Sequence, residues 1–178
     1  MHFTLHTMSV GTFKAVLTSL SGVLDKGAQH ANARGWKPTA LLEARLAPDM
    51  FPLSMQVQIA CDVAKNGTAR LAGVEPPKFA DEEKTIDELK QRIARTIAYI
   101  ESVPEAAFAG AEERRILFPL PGDMVVDMDG ARHLRDWGLP NFFFHVVTAY
   151  DILRSSGIDV GKPDYMAHTG DAIRKRDA

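Results

Sequence analysis

Four stretches of this chain repeat apolar residues at gaps of three and four, with Pro or Gly between them. On a helix turning about 100° per residue, that spacing gathers the apolar side chains on one face. A helix with one apolar face must bury it against another element, so four such helices define a bundle. The first stretch, about residues 7–30, carries Val10, Phe13, Leu17, Leu20 and Leu24. The second, residues 52–72, carries Leu53, Val57, Ala60 and Ala64, with Met55, Ile59 and Val63 beside them; Gly73 and the Pro76–Pro77 pair end it. The third carries Ile86, Leu89, Ile93, Ile97 and Ile100, and Pro104 closes it. Its start is marked by Thr85 and Glu88, spaced so that each side chain satisfies a free backbone N–H. The fourth follows Pro140, which suits a first-turn position, and ends at Gly157, which suits a left-handed cap.

One segment breaks the helical pattern. In "RRILFPLPGDMVVDMDGARHL", residues 116–118 and 124–126 read as two short strands around a turn, with Pro119 and Pro121 limiting pairing on one side. The spacing predicts an all-α fold, an up-down four-helix bundle with a small β-hairpin before the last long helix. A length of 178 residues suits one domain spanning residues 1–178. "TALLEARL" reads as a short helix or turn, "GKPDYM" as a turn, and the residues after it as a tail.

The net charge of −2 gives no reason to expect a nucleic-acid partner, and Arg174, Lys175 and Arg176 are three cations on a terminal tail. The opening apolar run is interrupted by Lys14 and several hydroxyl residues, so neither a signal peptide nor a membrane span is expected. A soluble cytoplasmic protein follows as the expectation. One cysteine, Cys61, excludes an intramolecular disulfide and any Cys-based zinc cluster; its place in an apolar-periodic stretch predicts core packing.

The candidate site comes from polar residues that interrupt buried stripes. On the fourth helix Asn141, His145, Thr148 and Ile152 share one narrow face, and His145 lies at the edge of the buried stripe. On the second, Gln58 and Asp62 are four apart and share a face beside Met55 and Ile59. An unpaired buried polar group costs roughly 1–3 kcal/mol, so the economical arrangement points these groups at one another. Two readings stand: a hydrogen-bonded clamp such as Asp62–His145, or a ligand or catalytic cavity lined by His145, Asp62, Gln58, Asn141 and Tyr150.

A tight metal site needs more. Two histidines four apart on one helix would give one ion two ligands, but the partner position is Ala149 and Tyr150 lies about 100° further round. No histidine stands between His30 and His133, so the second and third helices offer none; His2, His6, His30, His133 and His168 fall near segment ends or in connections and are expected to be exposed. No metal and no cofactor are therefore expected, the alternative being a divalent-metal-dependent hydrolase or transferase using Asp62 and His145. "DMVVDMDG" lacks the third ligand before its glycine and the glutamate six residues after it that an EF-hand loop requires, and reads as a β-turn. Neither a phosphate-cradling glycine loop nor a serine-nucleophile elbow occurs.

The stretches "PNFFFHVVTAYDILRSSGIDVGKPDYM" and "MFPLSMQVQIACDVAKNGTARLAG" resemble the closing signature and second helix of a bacterial family known only as a domain of unknown function, within the DinB/YfiT-like helix-bundle superfamily. The resemblance spans essentially the whole chain. It implies a four-helix bundle, often dimeric, whose relatives include divalent-metal-dependent thiol transferases and isomerases. Those relatives hold the metal with one histidine on the second helix and a pair four apart on a later one. Here His145 could match the first of the pair, Ala149 stands for the second, and Gln58 and Asp62 stand where the second helix would carry its histidine. Together with the residue reading, the resemblance gives the expectation of a homodimer with a degenerate metal site and a polar pocket near His145 for a small molecule.

Overall fold

The computed structural model describes residues 3–37 and 39–174; His2, Pro38, Lys175 and Arg176 lie outside the described residues. A π-helical turn, Thr7–Gly11, leads into α1 (Thr12–Ala33). The short α2 (Thr39–Leu42) follows, and then α3 (Leu53–Ala72). Pro52 is extended just before α3, as its missing N–H and fixed ring favour, and Gly73 ends the helix at φ 71°, a conformation that costs glycine little.

Helix α4 (Ile86–Ser102) begins on the reciprocal cap its sequence predicts. Thr85 Oγ1 accepts from the Glu88 N–H at 3.1 Å and Glu88 Oε2 accepts from the Thr85 N–H at 3.1 Å. The hairpin pairs β1 (Arg115–Leu120) with β2 (Met124–Asp129) antiparallel, Phe118 opposite Val126 and Pro119 opposite Val125. Pro119 sits inside the pairing because a two-stranded ribbon consists only of edge strands, where a residue without an N–H is tolerated.

The sequence pattern and the structure part at two turns. Asp127 and Asp129 do not form the expected β-turn. They continue β2, where Asp127 pairs with Arg115 at 2.6 Å, and Asp129 then caps α5 (Gly130–Arg132) by accepting from the Arg132 N–H at 2.8 Å. "GKPDYM" is likewise more than a turn: Lys162–Tyr165 form α7, started by the Asp164 carboxylate accepting from the Gly161 N–H at 2.9 Å. Between α5 and the last long helix, α6 (Leu139–Ser155), the chain makes a second π-helical turn, His133–Gly138.

The four long helices close a ring of contacts. Helix α1 packs on α4 and α6, and α3 packs on the same two. Phe13, Leu17, Leu24, Leu53, Val57, Leu89, Phe142 and Leu153 are fully buried at the centre, with Phe13 and Phe142 edge to face at 4.8 Å. Helix α6 runs antiparallel to α3: His145 meets Gln56 near the start of α3, whereas His133, before α6, lies against Gly67 toward its end. A final 3-10 stretch, Ala167–Ala172, lies along α1, where His168 Nδ1 is 3.0 Å from Ser19 Oγ and the His168 N–H donates to the same oxygen.

Candidate functional site

The residues that interrupt the buried stripes separate into four places. His145 is buried, and its Nδ1 lies 2.7 Å from Oε1 of Gln56, which is itself 1% exposed. Burial holds the imidazole below its ordinary pKa, so it is neutral at pH 7 with Nδ1–H donating to the carboxamide oxygen.

The expected Asp62–His145 clamp is not formed, and helix geometry gives the reason. Asp62 follows Gln56 by six residues, which places it about 120° round α3 and about 9 Å along its axis. Gln56 therefore meets α6, while Asp62 turns toward α4. There Asp62 Oδ1 accepts from Arg92 Nη2 at 3.1 Å and lies 2.9 Å from Lys65 Nζ. Arg92 is fully buried and also holds Glu83 at 3.1 Å, Asp81 at 2.9 Å and the carbonyl of Ala80 at 3.0 Å. Gln58 completes the cluster, its Nε2 donating to Glu83 Oε2 at 2.9 Å. Burial pushes the Glu83 carboxyl up, but the bonds from Gln58 and Arg92 outweigh it and hold the group below its ordinary value. Asp62 and Gln58 thus fasten the segment before α4 onto α3.

Tyr150 is apart from all of these. It lines a shallow cleft of about 180 Å³ with Val147, Asp151, Lys162 and Tyr165, and its hydroxyl reaches the Val160 carbonyl at 3.4 Å. Cys61 is buried, and burial pushes its thiol up to about 12, so it stays protonated and packs as an apolar group.

Asp62 and Asn141 line one cleft, beside the hairpin, between α3 and α6. It measures about 230 Å³, and Asn66, Arg70, Phe118, His133 and Trp137 line it with them. The Arg70 guanidinium lies over the Phe118 ring at 3.7 Å, and Phe118 stands edge to face with Trp137 at 5.6 Å. The sequence spacing places His133 in a connection and predicts exposure; instead the π-helical turn carries it inward to 1% exposure. Among the described residues neither of its ring nitrogens has a hydrogen-bond partner, and burial together with the nearby Arg70 charge pushes its pKa down to about 4. A π-helical turn of this kind often marks a functional position.

The donors around His145 do not fit a divalent transition metal. Its neighbour from α3 is a carboxamide, a weak ligand for such ions, and the Asp62 carboxylate is neutralised by Arg92 and Lys65. Among the described residues, no three His, Cys, Asp or Glu side chains gather where they could hold one ion. Likewise, no helix of the described residues is long and apolar enough to cross a membrane.

Four long helices around one core, a hairpin before the last of them and a polar seam between α3 and α6 define a DinB-like helical bundle. The crystal structure of a DinB family member protein from Shewanella denitrificans superposes on this chain with a TM-score of 0.84, at 41% sequence identity over 91% of each chain. Residues 5–166 match the family described as a domain of unknown function, DUF1993, and the chain belongs to that family. No curated protein matches it.

Proposed function

We propose that this DUF1993 chain is a homodimeric DinB-like bundle with a degenerate metal site, binding a small molecule in the polar cleft one helical turn from His145. The division of partners carries this reading. A metal-dependent transferase or hydrolase would need His145 and Asp62 together, yet each is bonded elsewhere, while Asp62 and Asn141 line one cleft. His145 then acts as a buried tie between α6 and α3, and the cleft beside it supplies the binding surface. Homodimerisation is supported by Phe144 and Val147, three residues apart on α6 and 57% and 40% exposed, more apolar surface than a lone helix face in water needs. A cytoplasmic placement fits the single buried cysteine, which is a free thiol.

The test is a calorimetric titration of metal-free protein, purified without a histidine tag, with zinc and with nickel. The expected result is no saturable binding below micromolar. Submicromolar binding that His145→Ala abolishes would overturn the reading in favour of a metal-dependent enzyme.

A further inference from the structure

We infer that the α3–hairpin cleft binds a small organic anion, a carboxylate on a flat apolar body, with Arg70 as its counter-ion. The inference rests on the cleft being the ligand site and names the chemistry of its ligand.

Arg70 is a partly buried cation that makes no ion pair among the described residues. Its one contact of note is the Phe118 ring, which leaves the N–H groups of the guanidinium edge undirected by protein. A desolvated guanidinium is costly unless a carboxylate or phosphate meets it, and its fork geometry matches a carboxylate. Two further side chains on the cleft wall have donors with no protein partner among the described residues. They are the amides of Asn66 and Asn141. The His133 imidazole is neutral at pH 7 and its ring nitrogens are buried, so it backs the cleft without adding a second charge. The apolar wall is aromatic, Phe118 and Trp137, which suits a planar body. The volume, about 230 Å³, lies below the roughly 300–1,000 Å³ of sites for drug-sized ligands, so the occupant is small. Asp62 does not spoil this field, because Lys65 and Arg92 already neutralise it.

Trp137 lines the cleft and reports on it once Trp36, the other tryptophan, is replaced by Phe. The full chain carrying Trp36→Phe is titrated with benzoate, with its neutral isostere benzamide and with benzylamine, following tryptophan emission. Benzoate should saturate, benzamide should bind at least about tenfold more weakly, and benzylamine should give no saturable change. Arg70→Gln should weaken benzoate by about tenfold or more. Asn66→Asp, which sets a carboxylate one helical turn from Arg70 on the same face, should abolish the benzoate response while leaving helix content unchanged. Equal binding of benzoate and benzamide, or a benzoate affinity indifferent to both substitutions, overturns the anion assignment and leaves the cleft standing as a site. No saturable change with any of the three probes overturns both.

Discussion

Replacing Arg92 by Leu isolates what the buried cluster contributes. Of its three carboxylates, Asp81 is 60% exposed and hydrates freely when the cation is lost, and Asp62 keeps Lys65 at 2.9 Å. Glu83 has no such recourse: its side chain is 5% exposed, and only the Gln58 amide, a backbone N–H and weakly placed Arg95, at 3.6 Å, would remain. Breaking a buried pair from one side costs about 3–5 kcal/mol, nearly all of it falling on Glu83. With a urea slope of about 2 kcal/mol/M, the denaturation midpoint should fall by about 1.5–2.5 M at pH 7. Adding Glu83→Gln, which removes the stranded charge, should restore part of that loss, so the two changes are non-additive by about 1–3 kcal/mol. The pH dependence has a definite sign. Glu83 titrates below its ordinary value of 4.5 in the folded protein, so its pairing stabilises fully above that value and is lost as pH falls through the depressed one. Without Arg92, burial is opposed only by Gln58, the backbone and the distant Arg95, and protonation relieves the stranded carboxylate. The gap between wild type and Arg92→Leu should therefore narrow from pH 7 to pH 4. A midpoint change under about 0.5 M, or a gap equal at both pH values, would refute the assignment of the penalty to Glu83.

Light scattering at micromolar concentration should give the mass of a dimer, and Phe144→Glu should weaken association on the order of 100-fold by placing a charge in an apolar interface; a monomeric wild type removes the dimer. Gly130→Ala should cost about 3 kcal/mol and lower the melting temperature by about 6–12 °C, because the added Cβ falls 1.9 Å from the Ala111 carbonyl oxygen, a backbone atom that no side-chain rotation can move. An unchanged melt would mean that the start of α5 does not pack against Ala111 there.

The long elements were legible because their signals are local. The Thr85–Glu88 cap, the positive-φ stop at Gly73 and the stripes of α1 and α4 each depend on residues three or four apart. The partners of the polar residues were not legible, because spacing says which face a residue takes and not which neighbour meets that face. Gln58 and Asp62 share a face as their spacing predicts, but that face turns to α4, and His145 is met by Gln56 from a different side of the same helix. A signal for the true partner did exist. Arg92 and Thr96 stand inside the apolar stripe Leu89–Ile93–Ile100, and a cation within a buried stripe demands a carboxylate. His133 carried no such signal. Its burial follows from a π-helical turn, whose one extra residue per turn shifts every later side chain round the axis and which has no sequence signature of its own.

The ring of contacts also sets a timetable for synthesis. Helix α1 packs on α4 and α6, so the part of its apolar face that meets α6 has no partner until the chain has been made through Ser155. From the end of α1 at Ala33, translation at roughly 5–20 residues per second needs about 6–24 s to reach that point. Throughout that interval Phe13 lacks Phe142, its edge-to-face aromatic partner, which has not yet left the ribosome.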